Sequence, residues 1–341
     1  MTKIKLLMIN YTKDSLIREL IRKGYEVSTA NTMGNHLVPR STYKKFDLVY
    51  FAKFTPPRWD DIGLLIHKIG IPIIYGFHAP SIIFKPYRAT NYIDNIISVA
   101  KLVYMKISRT IIAMHALNTD EYKLLRFCGF RCHYIPLGVD TKLFKPSVKR
   151  NKFTVVFVSA RYQKGADMLI NIVPKVLRKT PDIKFILTDV GFLSNYFNSL
   201  KNGFSGNVEV CERMPQNEFA QLFSSSHLLL FPSRWETFGL VVLEALSSGM
   251  PVVCYDIAGA SRDIVKRHGA GFVVNPFNTD EIVDGILNYF ELWKNEIKEF
   301  ECLSNVCRNV ALKYDWSIIA GLFDDMLKQV SSYAREDMKV V

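Results

Sequence analysis

Short apolar runs alternate with amphipathic helical stretches along the whole chain, and the alternation starts twice. In the first half the strand-like runs fall at residues 4–9, 26–30, 47–52, 72–77, 110–114 and 133–135. Helical patterns lie between them at 14–23, 60–69, 92–107 and 119–127. A second series begins at Phe153, with runs at 153–159, 184–188, 207–211, 228–231, 251–255 and 271–274. Near-continuous apolar strands separated by helices read as parallel sheets covered on both faces. The chain is therefore expected to be α/β, with two Rossmann-like, doubly wound domains. Its 341 residues suit two domains of roughly 150 residues each. Between the two series, residues 145–152 are polar and basic and contain Pro146, which predicts an exposed linker. The expected domains are 1–147 and 151–315, with a mostly helical stretch after Asn278 at 280–293, 298–313 and 316–333.

Charge divides along the same line. Residues 1–150 carry 24 basic and 10 acidic side chains, whereas the remaining 191 carry 20 and 22. All of the formal +12 thus originates in the first domain, which suggests an anionic partner on that side. Lys85, Arg88, Lys101, Lys106 and Arg109 are interleaved with Phe84, Tyr87, Tyr92 and Tyr104. Within 92–107, Ile93, Ile96, Ile97, Ala100 and Val103 share one helical face and are expected to pack in the core. The cations would then face outward, as a solvated basic surface or as a seat for an anionic membrane.

Several classes are set aside. No run of 18 apolar residues occurs; the longest candidate, 96–117, is broken by Lys101, Lys106 and Arg109. The opening apolar stretch at 6–9 is too short for an export signal and no small-residue cleavage site follows it. A cytoplasmic location is expected, with peripheral attachment at the inner face of a membrane as an extension. The six cysteines show no Cys-x-x-Cys pair and no nearby complement for a zinc site, so reduced, mostly buried thiols are expected.

Two strand-to-helix loops carry the candidate chemistry. After the run 228–231 comes Pro232-Ser233-Arg234-Trp235-Glu236-Thr237-Phe238-Gly239, and Glu244 follows within a helix. With that helix starting near Phe238, Glu244 falls about six residues in, roughly 9 Å along the axis. Free N–H groups at a helix start favour phosphate, and two carboxylates so spaced suit a ligand with hydroxyls at both ends of a diphosphate. Taken alone, this spacing fits a helix-start acid and a solvated glutamate at least as well. The loop after 153–159 places Arg161 and Lys164 where α/β sheets bind ligands, a planar fork and a compact charge suited to phosphate oxygens.

Taken together these segments resemble the family 4 glycosyltransferases of the GT-B fold. The matching pieces are Ser159-Ala160-Arg161 with Lys164-Gly165, Glu236-Thr237-Phe238-Gly239 with Glu244-Ala245, and Ser248-Gly249-Met250-Pro251. Asp256-Ile257-Ala258-Gly259-Ala260 and Ile135-Pro136-Leu137-Gly138 also fit, so the likeness spans the second half and extends more loosely into the first. The resemblance implies two Rossmann-like domains facing across a cleft, with the last helix, about 316–341, returning to the first. It implies transfer of a sugar from a nucleotide-sugar donor to a glycan or lipid-linked acceptor, with retention at the anomeric carbon. Arg161 and Lys164 would hold the donor diphosphate, Glu236 the sugar hydroxyls and Glu244 the ribose hydroxyls. Backbone groups of Thr237, Phe238 and Gly239 would line the sugar and phosphate end. His78 matches the family's histidine after a first-domain strand, facing the reacting sugar.

No cofactor is expected beyond the nucleotide sugar itself, and no metal, because no Asp-x-Asp occurs in the chain. Two departures stand out. The stretch after the first strand, 8–14, contains no glycine, and Arg161 and Lys164 are three apart where the family's loop is about two residues longer. Two other readings remain: a GT-B protein acting on nucleic acid through the basic half, and a non-catalytic sugar-nucleotide-binding descendant.

Overall fold

The computed structural model describes residues 3–11, 13–31, 40–53, 71–77, 103, 105–107, 111–188 and 193–337. The chain divides into two compact units, Met1–Leu137 with Trp316–Val341, and Gly138–Asp315. The first crossing lies ahead of the basic stretch expected to link the domains. Residues 138–150 pack with the second unit because Phe144 is buried against Phe219 and Phe223. The Phe144 carbonyl accepts hydrogen bonds from the Ser247 hydroxyl and from Arg308. Of the stretch itself, Lys145 to Val148 are exposed, but half-buried Lys149 donates to the carbonyls of Ser226 and Ser248. Where the chain enters and leaves this unit, Val139 bridges Asp315, and the Thr141 hydroxyl donates to the Asp315 carboxylate at 2.6 Å.

The first sheet is parallel in the order β2-β1-β3-β4-β5-β6. Its strands are β1 (Lys5–Ile9), β2 (Glu26–Ala30), β3 (Leu48–Lys53), β4 (Ile73–Phe77), β5 (Ile111–Ala116) and β6 (Cys132–Tyr134). The runs of Leu, Ile, Val and Met that signalled these strands supply its core, with Leu6 to Ile9 and Leu48 to Ala52 buried throughout. Helix Trp316–Asp337 closes one face of this unit: Phe323 sets its ring 5.8 Å from Tyr50 and 5.0 Å from His115, and Asp324 accepts from the Tyr25 hydroxyl. The expected core face of residues 92–107 lies largely outside the described residues. Where it is described, Met105 is the buried residue and Val103 is 52% exposed. At 100° per residue the two point to opposite sides, so Val103, expected in the core, faces outward where Met105 faces inward.

His115 is fully buried, with Tyr50 Oη 2.6 Å from Nδ1 and the Ile135 carbonyl 2.7 Å from Nε2. A neutral ring satisfies both neighbours, donating from Nε2 and accepting at Nδ1. Burial drives its pKa down to about 4, against an opposing pull from the Ile135 carbonyl. A histidine whose folded pKa is lowered supplies stability above its unfolded value, near 6.5, and loses it as pH falls toward the folded value. The first unit is therefore expected to lose about 3 kcal/mol between pH 6.5 and 4 from this group alone. Urea melts across that range should show the loss, and His115→Gln should flatten it.

The second sheet is also parallel, in the order β12-β11-β10-β7-β8-β9. Its strands are β7 (Thr154–Val158), β8 (Lys184–Thr188), β9 (Val208–Cys211), β10 (Leu228–Phe231), β11 (Val252–Tyr255) and β12 (Gly271–Val274). All twelve strands among the described residues overlap the runs identified in the sequence. Chain order runs outward from β7 to β9, then returns to β10 on the other side of β7, where Leu228 pairs Val155 and Leu230 pairs Phe157. The β7–β10 seam is thus the switch point of the sheet, beyond which open α/β sheets bind ligands. Helices Thr279–Asn295 and Ile297–Leu312 follow β12. All six cysteines are free, but only Cys132, Cys254 and Cys307 are buried; Cys128 and Cys302 are exposed. Among the described residues no helix is long and apolar enough to cross a membrane.

Candidate active site

The loops leaving β7 and β10 meet at the switch point and bring together residues about seventy positions apart in sequence. After β7 the backbone turns through Ser159, at φ 82, and makes a short 3-10 turn, Tyr162–Lys164, before Gly165 reverses it at φ 79. A Cβ on Gly165 would lie 2.3 Å from the Pro232 carbonyl oxygen, so only glycine lets the two loops approach this closely. Their backbones are then stitched together. Arg234 N–H donates to the Gln163 carbonyl at 2.9 Å, and the Gln163 amide donates to the Trp235 carbonyl at 3.2 Å.

Lys164 pairs with Glu236 across this seam, with side chains 22% and 8% exposed. Its ammonium also sits 5.7 Å from the centre of the Phe231 ring. Arg161 is exposed at the mouth of the same loop, its N–H bonded back to the Ser159 carbonyl at 2.8 Å. The structure therefore joins two of the sequence candidates directly and places the third on the same loop. Glu244 stands half-exposed in helix Leu240–Ser247. That helix starts two residues later than expected, because Gly239 at φ 91 interrupts the approach and serves as its N-cap. Thr237 is half-buried and Phe238 buried. The Phe238 carbonyl accepts from Ala260 N–H at 2.6 Å, so that group is committed to the protein, and Gly259 permits the approach since a Cβ there would lie 2.5 Å from the same oxygen. His78 follows β4 and lies outside the described residues.

One element of the site escaped the sequence reading. Arg234 is buried and grips Asp167 with two parallel bonds of 2.7 Å, a bidentate geometry that fixes direction as well as distance. It also donates to the Tyr162 carbonyl, while the Tyr162 ring stacks 3.7 Å over its guanidinium. This clamp ties the 3-10 turn to the loop after β10 and so sets where Lys164 points. An arginine inside an otherwise buried loop was the available signal; its partner 67 positions away was not. Farther along, burial pushes the Asp256 carboxyl up, but hydrogen bonds from Lys266 and Arg262 outweigh it and hold the group below its usual range. Among the described residues no group of three or more His, Cys, Asp or Glu is placed to hold a metal.

Two Rossmann-like units, each built on a six-stranded parallel sheet, are the architecture of the GT-B fold. The solved structure of HepE from Anabaena with UDP-glucose aligns over 96% of this chain and 100% of its own at a TM-score of 0.71 and 17% identity, which establishes the shared fold. Residues 139–299, a little under half of the chain, match the model for glycosyl transferases group 1. An uncharacterized glycosyltransferase of Methanocaldococcus jannaschii is 30% identical over 51% of this chain and 44% of its own length. A GDP-mannose-dependent monoacylated alpha-(1-6)-phosphatidylinositol monomannoside mannosyltransferase of Corynebacterium glutamicum is 24% identical over 61% of this chain and 60% of its own length. The matched segments thus span about half the length of these relatives.

Proposed function

We propose that this chain is a retaining, metal-independent hexosyltransferase of the family 4 type, moving a sugar from a nucleotide-sugar donor to a glycan or lipid-linked acceptor. The observation that carries the reading is the Lys164–Glu236 pair at the switch point of the second sheet, with Arg161 on the same loop. A diphosphate seated beyond β7 and β10 takes Arg161 and Lys164 as counter-charges, which stabilise the leaving nucleoside diphosphate as the bond from sugar to phosphate breaks. Glu236, tied to Lys164, accepts hydrogen bonds from sugar hydroxyls; Glu244 serves the ribose. The acceptor hydroxyl attacks the anomeric carbon and gives its proton to the departing phosphate, so Glu236 is neither nucleophile nor one half of a hydrolytic carboxylate pair. His78, which follows β4, is assigned to the reacting sugar. The mannosyltransferase relative is named for GDP-mannose and a phosphatidylinositol glycolipid, and HepE was solved with UDP-glucose. Both names support a nucleotide-sugar donor, and the first supports an acceptor presented at a membrane. The basic first half supports peripheral attachment to an anionic surface on the cytoplasmic side.

Thermal shift with UDP-glucose, UDP-galactose and GDP-mannose tests the reading, since a ligand at 100 times its Kd adds about 2.7 kcal/mol to the folded state. At least one donor should raise the melting temperature, in chelator as well as with magnesium, and Arg161→Ala should weaken the response. No shift with any nucleotide sugar, together with retention on duplex DNA at moderate salt, would instead support the nucleic-acid reading. A donor shift without transfer or donor hydrolysis would mark a non-catalytic binding protein.

A further inference from the structure

Helix Thr119–Phe127 ends at a corner of the first unit that exposes three apolar side chains: Phe127 at 90%, Ile107 at 75% and Val103 at 52%. Two contacts fasten this corner together. Met105 is buried in the core with Leu125, Phe130 and Cys132, and the Lys106 ammonium donates to the Gly129 carbonyl beside the Phe130 ring. With Met105 turned inward, Val103 and Ile107, one helical turn apart, share the outward side. Lys123 and Arg126 are exposed on the same helix as Phe127, and Arg131 is exposed just after it with its guanidinium 4.8 Å from the centre of the Tyr333 ring. From 122 to 139 the chain has no acidic residue, and of the two acids just before it Glu121 is buried, its carboxylate accepting from Leu117 N–H.

We propose that this corner docks on an anionic lipid surface, with Phe127, Ile107 and Val103 entering the boundary between headgroups and acyl chains. Lys123, Arg126 and Arg131 then meet the lipid phosphates. The combination selects the partner. A phosphodiester backbone offers the cations a match but leaves the three apolar groups in water, and a second copy of the chain would bring like charges face to face. A bilayer of anionic lipid accepts both halves of the patch. The inference deepens the membrane attachment proposed above, and it reads lipid binding rather than transfer. It can therefore fail while the nucleotide-sugar thermal shift stands.

The test is flotation of the full chain with phosphatidylcholine vesicles containing about 30% phosphatidylglycerol, at low salt and at an ionic strength where screening reaches about 8 Å. The native chain is expected to float with these vesicles, less so at the higher salt, and to remain behind with phosphatidylcholine alone. Phe127→Ser combined with Ile107→Ser should cut partitioning at least ~10-fold at an unchanged melting temperature, and Lys123→Glu with Arg126→Glu should remove the salt-sensitive part. In a Cys302→Ser background, an environment-sensitive dye on exposed Cys128 should shift to the blue on adding vesicles. Equal flotation by the Phe127/Ile107 variant, no preference for the anionic lipid, or duplex DNA binding with the same residue dependence would each overturn the proposal. So would a dimer that Phe127→Ser dissolves.

Discussion

Lys164→Met is expected to lower donor turnover by about 10²–10³-fold, the range found when a fixed charge or donor at a developing negative charge is removed. The same substitution should cost ~2 kcal/mol of stability, because it leaves Glu236, whose side chain is only 8% exposed, without its counter-charge. The two effects can be separated. Glu236→Gln in the Lys164→Met background removes the orphaned charge and should restore most of the melting temperature. Turnover should stay low, since neither the diphosphate nor the sugar hydroxyls regain a partner. Recovery of turnover in the double variant would show that the pair serves the fold rather than the chemistry.

Gly165→Ala is expected to be as damaging by a different route. A residue with a side chain at φ 79 costs about 1–2 kcal/mol by conformation alone. Here the new Cβ would also lie 2.3 Å from the Pro232 carbonyl oxygen, so the two switch-point loops must separate. The expected loss is about 3 kcal/mol or more, together with loss of the donor-induced thermal shift. Gly24 supplies the control: it has φ 98 but nothing within 4 Å of its would-be Cβ, so Gly24→Ala should show the conformational cost alone. Equal destabilisation by the two substitutions would mean that the close approach of the loops carries no weight.

These loops also show what the sequence could and could not disclose. The twelve strands among the described residues were legible because a strand buried on both faces must be apolar along its length, and such runs stand out against polar helical faces. Strand order was not legible, since nothing in the run 228–231 states that it returns beside 153–159 instead of extending the far edge. Without that order, Lys164 and Glu236 are two charges on two loops, and only family resemblance joined them. The Arg234–Asp167 clamp was invisible for the same reason: it is a contact between loops, not a pattern within one. Val103 was misread as a core residue because an apolar repeat marks a side without saying which neighbour covers it. Met105, flanked by two exposed aliphatic residues, is where tertiary packing decided the matter.

The bridge between Val139 and Asp315, reinforced by the hydroxyl of Thr141, sets the two ends of the second unit side by side. A module whose ends touch is closed on itself, and here it interrupts another one. During synthesis the second unit has its whole sequence once Asp315 has emerged, whereas the first must wait for Trp316–Asp337 before Tyr50 and His115 gain their cover from Phe323. The half that holds the donor residues is thus the one able to finish folding first. The half with the surplus positive charge stays open until the helix that completes it has been made.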